Sequence, residues 1–311
     1  MRSPLLVAQK ITVSFGSARS QVQALAGTDL EIFPGESLAI VGESGSGKTT
    51  LLRACLGLTA ISGGYASLFG KDLSLCSRGE LVFLRRRSGY VPQDPFGCVP
   101  PTLSALDAVS EPMLIADSPG KKRASERAGE LLVECGLADR EIWKERVRFS
   151  LSGGQRQRVS IARALALDPE LLLADEPASM QDAATRKGIM EILRKRCEKG
   201  MGLVMATHDL LLASASASRV MVLYRGHVVE TGPSKDLLST PAHPYTRALG
   251  AALPGMGHSP QILVRRTDSL SGKTGCVFSA RCPRRTEKCS TPPFLIQIGA
   301  GRTVACWNPG G

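Results

Sequence analysis

The stretch that decides the fold is SLAIVGESGSGKTTLLRACLG, residues 37–57. It opens with an apolar run typical of a buried parallel strand. A leucine- and alanine-rich segment that favours a helix follows from Lys48. The glycine-rich turn between them matches the pattern G-x-x-x-x-G-K-[ST] through Gly42, Gly47, Lys48 and Thr49. Strand, loop and helix in this order predict a phosphate-binding loop.

Each residue type in this loop has a chemical reason to be there. Glycines let backbone N–H groups approach phosphate oxygens, and the helix N-terminus adds the positive end of a dipole. We expect the Lys48 ammonium to reach the β- and γ-phosphates of a bound nucleotide and the Thr49 hydroxyl to ligate Mg²⁺. The residues of the loop predicted to bind the nucleotide are Gly42, Ser44, Gly45, Gly47, Lys48, Thr49 and Thr50.

A second candidate site lies in LLLADE, residues 171–176. The apolar run predicts a buried strand, and Asp175 and Glu176 stand at its carboxyl end, where parallel sheets bind ligands. Asp175 is a candidate for the Mg²⁺ shell, and Glu176 for the general base that polarises an attacking water. The simpler alternative is that Asp175 only caps the next helix.

A third motif is LSGGQ, residues 151–155, at the start of an arginine-rich helix. Ser152 is a suitable N-cap, and Gly153 and Gly154 expose backbone N–H groups to an anion. Taken alone, this motif would be explained by a helix cap.

Composition narrows the class of protein. A chain of 311 residues that is 43% hydrophobic and 22% charged is globular, with one large domain or about two, which excludes disordered, collagen-like and coiled-coil chains. The net charge of +11 is consistent with an anionic partner or with a solubilising surface. No apolar run reaches the roughly 18–20 residues of a membrane helix, and no secretory signal is visible. We therefore expect a cytosolic protein whose membrane association is peripheral.

The order of the segments predicts an α/β fold with a mainly parallel sheet, because buried-strand runs alternate with helical segments. Helical periodicity around residues 103–116 and 121–137 indicates a helical insertion. RVMVLYRGHVVETG, residues 219–232, indicates a hairpin that turns at Gly226. After about residue 254 glycine, proline, cysteine and arginine dominate, which predicts a separate small appendage.

Together, the phosphate loop, LSGGQ and LLLADE strongly resemble the ATP-binding-cassette (ABC) ATPases over about residues 5–250. The resemblance implies a P-loop NTPase with a mainly parallel core sheet, an antiparallel β subdomain and a helical subdomain. The predicted domains are residues 1–254, with the helical subdomain at about 95–160, and a Cys-rich extension at 255–311.

The resemblance also gives roles to residues that would otherwise attract no attention. Gln93 in VPQDP matches the glutamine that senses the metal and the γ-phosphate, so it becomes a candidate catalytic residue and Mg²⁺ ligand. His208 in ATHD matches the histidine that contacts the γ-phosphate. Phe15 stands where an aromatic residue, usually tyrosine, stacks on adenine.

In this family two cassettes face each other head to tail. Ser152, Gly153, Gly154 and Gln155 of one cassette are then expected to bind the ATP held by the other, and Asp182 lies in a loop near it. The partner would be a second copy or a homologous subunit. The loop usually reads S-A-L-D, whereas here it is Ser179, Met180, Gln181 and Asp182. The change from leucine to glutamine favours altered hydrolysis and an unequal heterodimer.

The end of the chain resembles the peptide/nickel importer subfamily through HPYTRAL, residues 243–249, and the Cys-rich tail. Gaps of five, six and sixteen residues separate Cys276, Cys282, Cys289 and Cys306. Zinc sites usually contain C-x₂₋₄-C pairs, and four thiolates can also hold a [4Fe–4S] cluster, as in some members of the subfamily. The cluster, zinc and an unmetallated group all stay open.

The sequence therefore predicts the ATPase subunit of an importer of peptides, nickel or a related solute. Its expected partners are a second cassette, two permease subunits and, indirectly, a solute-binding protein, at the cytoplasmic face of the membrane. The alternatives are an accessory ATPase of a soluble complex, such as a phosphonate-cleaving one, and a cassette acting on nucleic acid or ribosomes. The single cassette disfavours the latter, so no nucleic-acid partner is expected.

Overall fold

The computed structural model describes residues 3–16, 20–94, 97, 99–100, 102–116, 120–179, 181–251 and 275–310. Within these ranges the strands are β1 (Leu6–Phe15), β2 (Val22–Ile32), β3 (Ser37–Val41), β4 (Gly63–Leu68), β5 (Lys71–Asp72), β6 (Ser88–Val91), β7 (Leu171–Asp175), β8 (Gly202–Thr207), β9 (Arg219–Tyr224), β10 (His227–Pro233), β11 (Ile296–Gly299) and β12 (Arg302–Val304). The helices are α1 (Lys48–Cys55), α2 (Arg78–Arg86), α3 (Ala105–Ala116), α4 (Lys121–Glu134), α5 (Arg140–Lys144), α6 (Val147–Ser150), α7 (Gly153–Ala164), α8 (Ala183–Glu198), α9 (Leu210–Ser216), α10 (Ser234–Ser239) and α11 (Pro244–Ala251).

The core sheet runs in the order β11-β12-β10-β9-β3-β8-β7-β6 in the described part of the chain. Its strands from β9 to β6 are parallel, whereas β10, β12 and β11 add an antiparallel edge. Every residue of β7 and β8 is buried, which explains why both segments read as continuous apolar runs. The predicted α/β fold with a mainly parallel core sheet is confirmed.

A smaller antiparallel sheet, β2-β1-β4-β5, packs over one face of the core sheet. The side chains of β3 alternate between the two faces of the core sheet, and each face contributes to a different hydrophobic core. Leu38 and Ile40 point into the core shared with the small sheet, and Ala39 and Val41 point into the core shared with the helices. Because successive side chains of a strand alternate between faces, one short strand supports both cores.

The predicted hairpin is confirmed in β9 and β10, which pair antiparallel. Its turn residues Arg225 and Gly226 have φ angles of 48° and 79°. Two consecutive positive φ values are the requirement of the tight hairpin turns that match strand twist, so Gly226 was an informative sequence signal.

The helical portion is also observed, with α3 and α4 in place of the predicted segments 103–116 and 121–137. Arg163 of α7 ties this layer together. Its guanidinium bonds the Ala108 carbonyl and pairs with Glu111 at 2.6 Å, both on α3. Among the described helices, none is long and apolar enough to cross a bilayer.

The Cys-rich tail is joined to the core, which corrects the expectation of a separate appendage. Strand β12 pairs with β10 through Glu230 and Val304, and through Thr231 and Thr303. The fully buried Glu230 carboxylate accepts a hydrogen bond from Arg302 of the tail at 3.2 Å. A buried charge needs such a partner, so the tail completes the core. The predicted boundary near residue 254 lies outside the described residues and stays a prediction.

Phe278 is a large apolar side chain through which the tail packs on the core. It is 1% exposed. Its ring centroid lies 5.3 Å from that of Tyr224 and 5.4 Å from that of Tyr245. Tyr245, in the HPYTRAL segment, is itself fully buried, so this segment supplies the socket for the tail.

We expect Phe278→Ala to lower the free energy of unfolding by about 3–5 kcal/mol, because it leaves a cavity among the aromatic rings. Phe294→Ala is the matched control in the same tail, since Phe294 is 75% exposed and its loss should cost about 0.5 kcal/mol or less. Urea denaturation of the full chain measures both. Equal losses in the two variants would contradict the packing described for the tail.

Candidate nucleotide-binding site

At two glycines of the phosphate loop the neighbouring backbone lies too close to leave room for a side chain. A Cβ at Gly42 would lie 2.2 Å from the Leu223 carbonyl oxygen, and one at Gly47 would lie 2.6 Å from that of Ala24. Gly47 also has φ 106°, in the left-handed region. Helix α1 begins immediately afterwards without a side-chain cap, so its first N–H groups can receive an anion.

Lys48 is folded back into the loop. Its ammonium donates to the carbonyl oxygens of Gly42 at 2.8 Å and Glu43 at 3.0 Å. Burial lowers the pKa of this ammonium, and the neighbouring carboxylates of Glu176, Asp175 and Glu43 act in the opposite direction. The charge therefore lies inside the loop, beside the acidic strand end.

The two candidate Mg²⁺ ligands meet although they are 126 residues apart in sequence. The Thr49 hydroxyl donates to Asp175 Oδ2 at 2.5 Å. Burial raises the pKa of Asp175, and the hydrogen bond from Thr49 opposes that shift. A hydroxyl and a carboxylate are the hard oxygen donors that Mg²⁺ prefers, so the donor set fits this ion.

Glu176 occupies a strained position at the end of β7. Its φ angle is 50°, which is unusual for a residue other than glycine, and such strain clusters at functional sites. Its N–H donates to Ala206 O at 2.9 Å, which fixes the turn. The carboxylate lies 3.1 Å from Nδ1 of His208.

One cleft of about 170 Å³ brings most of the predicted residues together. Its lining, within the described part of the chain, is Ala24, Ser44, Gly45, Gly47, Lys48, Thr49, Thr50, Gln93, Asp175 and Glu176. His208 lies beside it in a smaller cavity that also contains Glu176 and Ser179. Phe15 is outside this lining, at the end of β1, with half of its surface exposed.

The LSGGQ motif does not line that cleft. Ser152 caps α7, as predicted, in a reciprocal pair with Gln155. The Gln155 N–H donates to Ser152 Oγ at 3.2 Å, and the Ser152 N–H donates to Gln155 Oε1 at 2.8 Å. The first turn that follows contains Gly153 and Gly154 and is apart from this chain's own phosphate loop.

The unusual loop after Glu176 contains a contact that sequence reasoning missed. The buried Gln181 side chain donates from Nε2 to the Gly154 carbonyl at 2.9 Å and so joins this loop to the LSGGQ helix. Asp182 caps α8 by accepting the N–H of Thr185, and this bond lowers the pKa of Asp182. The sequence identified Gln181 as an unusual residue in this loop, but no sequence signal identified Gly154 as its hydrogen-bond partner. Met180 lies outside the described residues.

Comparison with known proteins places this geometry in a family. A model for ABC transporters matches residues 25–179, and a model for the oligopeptide/dipeptide transporter C-terminal region matches residues 229–289. A putative peptide import ATP-binding protein of Brucella abortus is 37% identical over 293 residues, which cover 93% of this chain and 87% of the relative. The chain belongs to the ATP-binding proteins of peptide import ABC transporters. A Brucella ovis relative of the same description is 35% identical and covers 98% of each chain.

Solved structures agree with this assignment. The ABC cassette MJ0796, in a dimeric post-hydrolysis state with ADP and Pi, superposes with a TM-score of 0.69 at 31% identity, covering 74% of this chain and 98% of its own. The cassette cbiO1 of Clostridium perfringens gives a TM-score of 0.64 at 27% identity, covering 75% and 90%. The predictions of the family, the fold and an ABC-type ATPase are confirmed, whereas the roles of individual residues stay predictions.

In this ABC ATPase we expect Gln181→Leu to lower kcat for ATP hydrolysis by about twofold to tenfold, the worth of one hydrogen bond, with little change in KM. In the wild type this bond positions the loop before Asp182 against the LSGGQ helix. KM should change little because neither segment lines the phosphate cleft. Lys187→Ala, on the exposed face of α8, is the control. An unchanged kcat in Gln181→Leu would show that the bond has no part in turnover.

Proposed function

We propose that this ATPase binds Mg·ATP through residues 42–50 and hydrolyses it with Glu176 as general base. The observation that carries the proposal is the single cleft lined by the phosphate loop, Gln93, Asp175 and Glu176, which come from separate segments of the chain. The open N–H groups at the start of α1 and the Lys48 ammonium supply positive charge to the β- and γ-phosphates.

Thr49, Asp175 and Gln93 are the residues that would hold Mg²⁺, which neutralises charge on the phosphates when bound. Glu176 accepts the proton of the attacking water, and its short contact with His208 holds the carboxylate toward the γ-phosphate side of the cleft. Phe15, exposed at the end of β1, offers a flat surface to adenine.

A second cassette is needed because the LSGGQ turn lies away from its own cleft. In the proposed head-to-tail dimer, Ser152, Gly153, Gly154 and Gln155 of one cassette contact the ATP of the other. The dimeric state of MJ0796 supports this arrangement. The second cassette is either another copy of this chain or a homologous subunit.

The proposed contact with the permeases is a groove of about 520 Å³ between the core and the helical layer. Tyr90, Pro92, Pro112 and Leu167 line it, and Val82 and Ile115 line an adjoining hollow. Pro92 directly precedes Gln93, so a permease helix seated there would lie next to a residue of the ATP cleft.

We infer that the cargo is peptide, on the support of the family descriptions at residues 229–289 and of the curated relatives. Neither comparison favours nickel, a phosphonate-cleaving complex or a nucleic-acid partner. A solute-binding protein outside the membrane and a peripheral position on its cytoplasmic face complete the proposal.

The four tail cysteines are the candidate ligands for a metal group in the extension. Burial raises the pKa values of Cys276, Cys282 and Cys306, and the charges of the neighbouring tail cysteines add to the shift, so the thiols share one neighbourhood. The Cys276 N–H donates to Cys289 O at 3.0 Å. Among the described residues no three His, Cys, Asp or Glu side chains form a set that could hold a metal ion, so the proposal rests on the number of these cysteines and their proximity. We propose that Cys276, Cys282, Cys289 and Cys306 hold a [4Fe–4S] cluster.

The catalytic proposal is tested with Glu176→Gln, which keeps the shape of the side chain but removes the base. We expect the variant to bind Mg·ATP and to form a stable ATP-bound dimer, with hydrolysis reduced by about 100-fold or more. Lys48→Ala should abolish nucleotide binding. Size-exclusion chromatography with ATP and phosphate release measure both variants. Wild-type turnover in Glu176→Gln would exclude Glu176 as the base.

The cluster proposal is tested by anaerobic purification of the full chain. We expect a brown protein with about four iron atoms per chain. Cys289→Ser should lose the colour and the iron, whereas Cys76→Ser, a cysteine outside the tail, should retain both. A colourless wild-type protein without iron would overturn the cluster proposal.

A further inference from the structure

Glu43 is one of the variable positions of the phosphate loop, yet the side chains of three other residues hold it. Its N–H donates to the Tyr245 hydroxyl at 2.9 Å, and its carbonyl accepts the Lys48 ammonium at 3.0 Å. Its carboxylate accepts two parallel hydrogen bonds from the Arg281 guanidinium, both at 2.9 Å. Backbone and side chain are therefore fixed at the point where the chain leaves β3 and enters the loop.

Arg281 reaches the loop from the Cys-rich tail, 238 residues later in the chain. We call residues 276–282, CVFSARC, the tail strap. Phe278 anchors the strap in the aromatic socket, and the Arg281 guanidinium lies 5.8 Å from the ring centroids of both Tyr224 and Phe278. Turn hydrogen bonds from Ser279 N to Cys276 O and from Arg281 N to Phe278 O, at 2.9 and 3.0 Å, stiffen it.

The ion pair between Arg281 and Glu43 differs from ordinary surface pairs. The two side chains are 21% and 39% exposed, and the bond is bidentate, which fixes direction as well as distance. The carboxylate raises the pKa of Arg281, so the guanidinium stays charged. Exposed pairs with single contacts contribute little, but this geometry orients both partners.

The position of Glu43 matters because the loop must present its N–H groups in one arrangement. A loop held in its binding conformation before ATP arrives loses less entropy on binding, which raises affinity. The neighbour of Glu43 on one side is Gly42, packed against Leu223, and on the other is Ser44 in the cleft. Movement of Glu43 is thus transmitted directly to residues that line the cleft.

We propose that the Cys-rich tail positions the phosphate loop, and that Arg281 is the positioning residue, acting on nucleotide through Glu43. The proposal rests on the proposed role of residues 42–50 in holding ATP. Its consequence is that Mg·ATP affinity depends on a side chain that touches no nucleotide and stands between two tail cysteines. Whatever fixes Cys276 and Cys282 also fixes the two ends of the strap.

The test measures Mg·ATP binding to the full chain by isothermal titration calorimetry, together with kcat and thermal stability. We expect Arg281→Ala to weaken Mg·ATP binding by about fivefold to tenfold. Arg281→Lys keeps the charge but cannot form the fork of two parallel bonds, so its affinity should lie between those of Arg281→Ala and the wild type. Arg285→Ala, an exposed arginine four residues on, is the matched control and should bind as the wild type does.

A double-mutant cycle separates positioning from simple destabilisation. Glu43→Gln and Arg281→Ala should each weaken binding, and the double variant should be no weaker than the more severe single one. Hydrogen exchange at the N–H groups of residues 42–47 should rise in Arg281→Ala at a temperature well below its Tm. If Arg281→Ala folds poorly, Glu43→Gln alone still tests the proposal, since it breaks the same bidentate pair without altering the tail.

Two results would overturn the proposal. One is wild-type Mg·ATP affinity in Arg281→Ala, and the other is additive losses in the double-mutant cycle. Failure of the proposed function would be seen in a different variant. If residues 42–50 did not bind ATP, Lys48→Ala would retain nucleotide binding, whatever the affinities of the Arg281 variants.

Discussion

The structure depends on the close approach of backbone to backbone around the phosphate loop. Gly42 packs against β9 and Gly47 against β2, at distances that leave no room for a Cβ. These contacts bring the end of the parallel strand β3 under the antiparallel sheet and set the direction of α1. Thr49 of α1 can then meet Asp175, which arrives on β7 at the same edge of the core sheet. The cleft follows from this geometry, since parallel strands present their carboxyl ends together.

The features predictable from the sequence are those whose cause is local. A glycine-rich turn between an apolar run and a helix, the acidic pair after LLLA, and Gly226 in a hairpin each act within a few residues. The contacts that escaped prediction join distant segments: Gln181 with Gly154, Glu230 with Arg302, and Glu43 with Arg281. Composition shows that such charges exist, but only the fold determines which of them meet. The sequence predicted a separate unit for the tail because the tail lacks helical periodicity. Its attachment to the core depends on contacts between side chains far apart in the chain, which no sequence pattern indicates.

One buried carboxylate, Glu230, and one buried aromatic ring, Phe278, explain why the tail stays with the core. Glu230 is fully buried and also caps the HPYTRAL segment by accepting the N–H groups of Ala242 and His243, each at 2.9 Å. Removal of Arg302 would leave that carboxylate without its guanidinium, which costs more than the loss of a surface pair. Phe278 fills the aromatic socket beside it. Charge pairing and apolar packing thus act on neighbouring parts of the same attachment.

The two long-range contacts at the ATP site act on different halves of the proposed dimer. Arg281 holds Glu43 in the phosphate loop of its own chain, so on our proposal the tail acts on the ATP that this chain binds. Gln181 holds Gly154, whose turn we propose to contact the ATP of the other cassette in a head-to-tail pair. A change in the tail therefore reaches one nucleotide directly, and the loop with Gln181 reaches the other. The second cassette could be a homologous subunit that lacks these side chains. The two ATP sites of such a dimer are unequal, because one site has only the contact made by Arg281 and the other has only the contact made by Gln181.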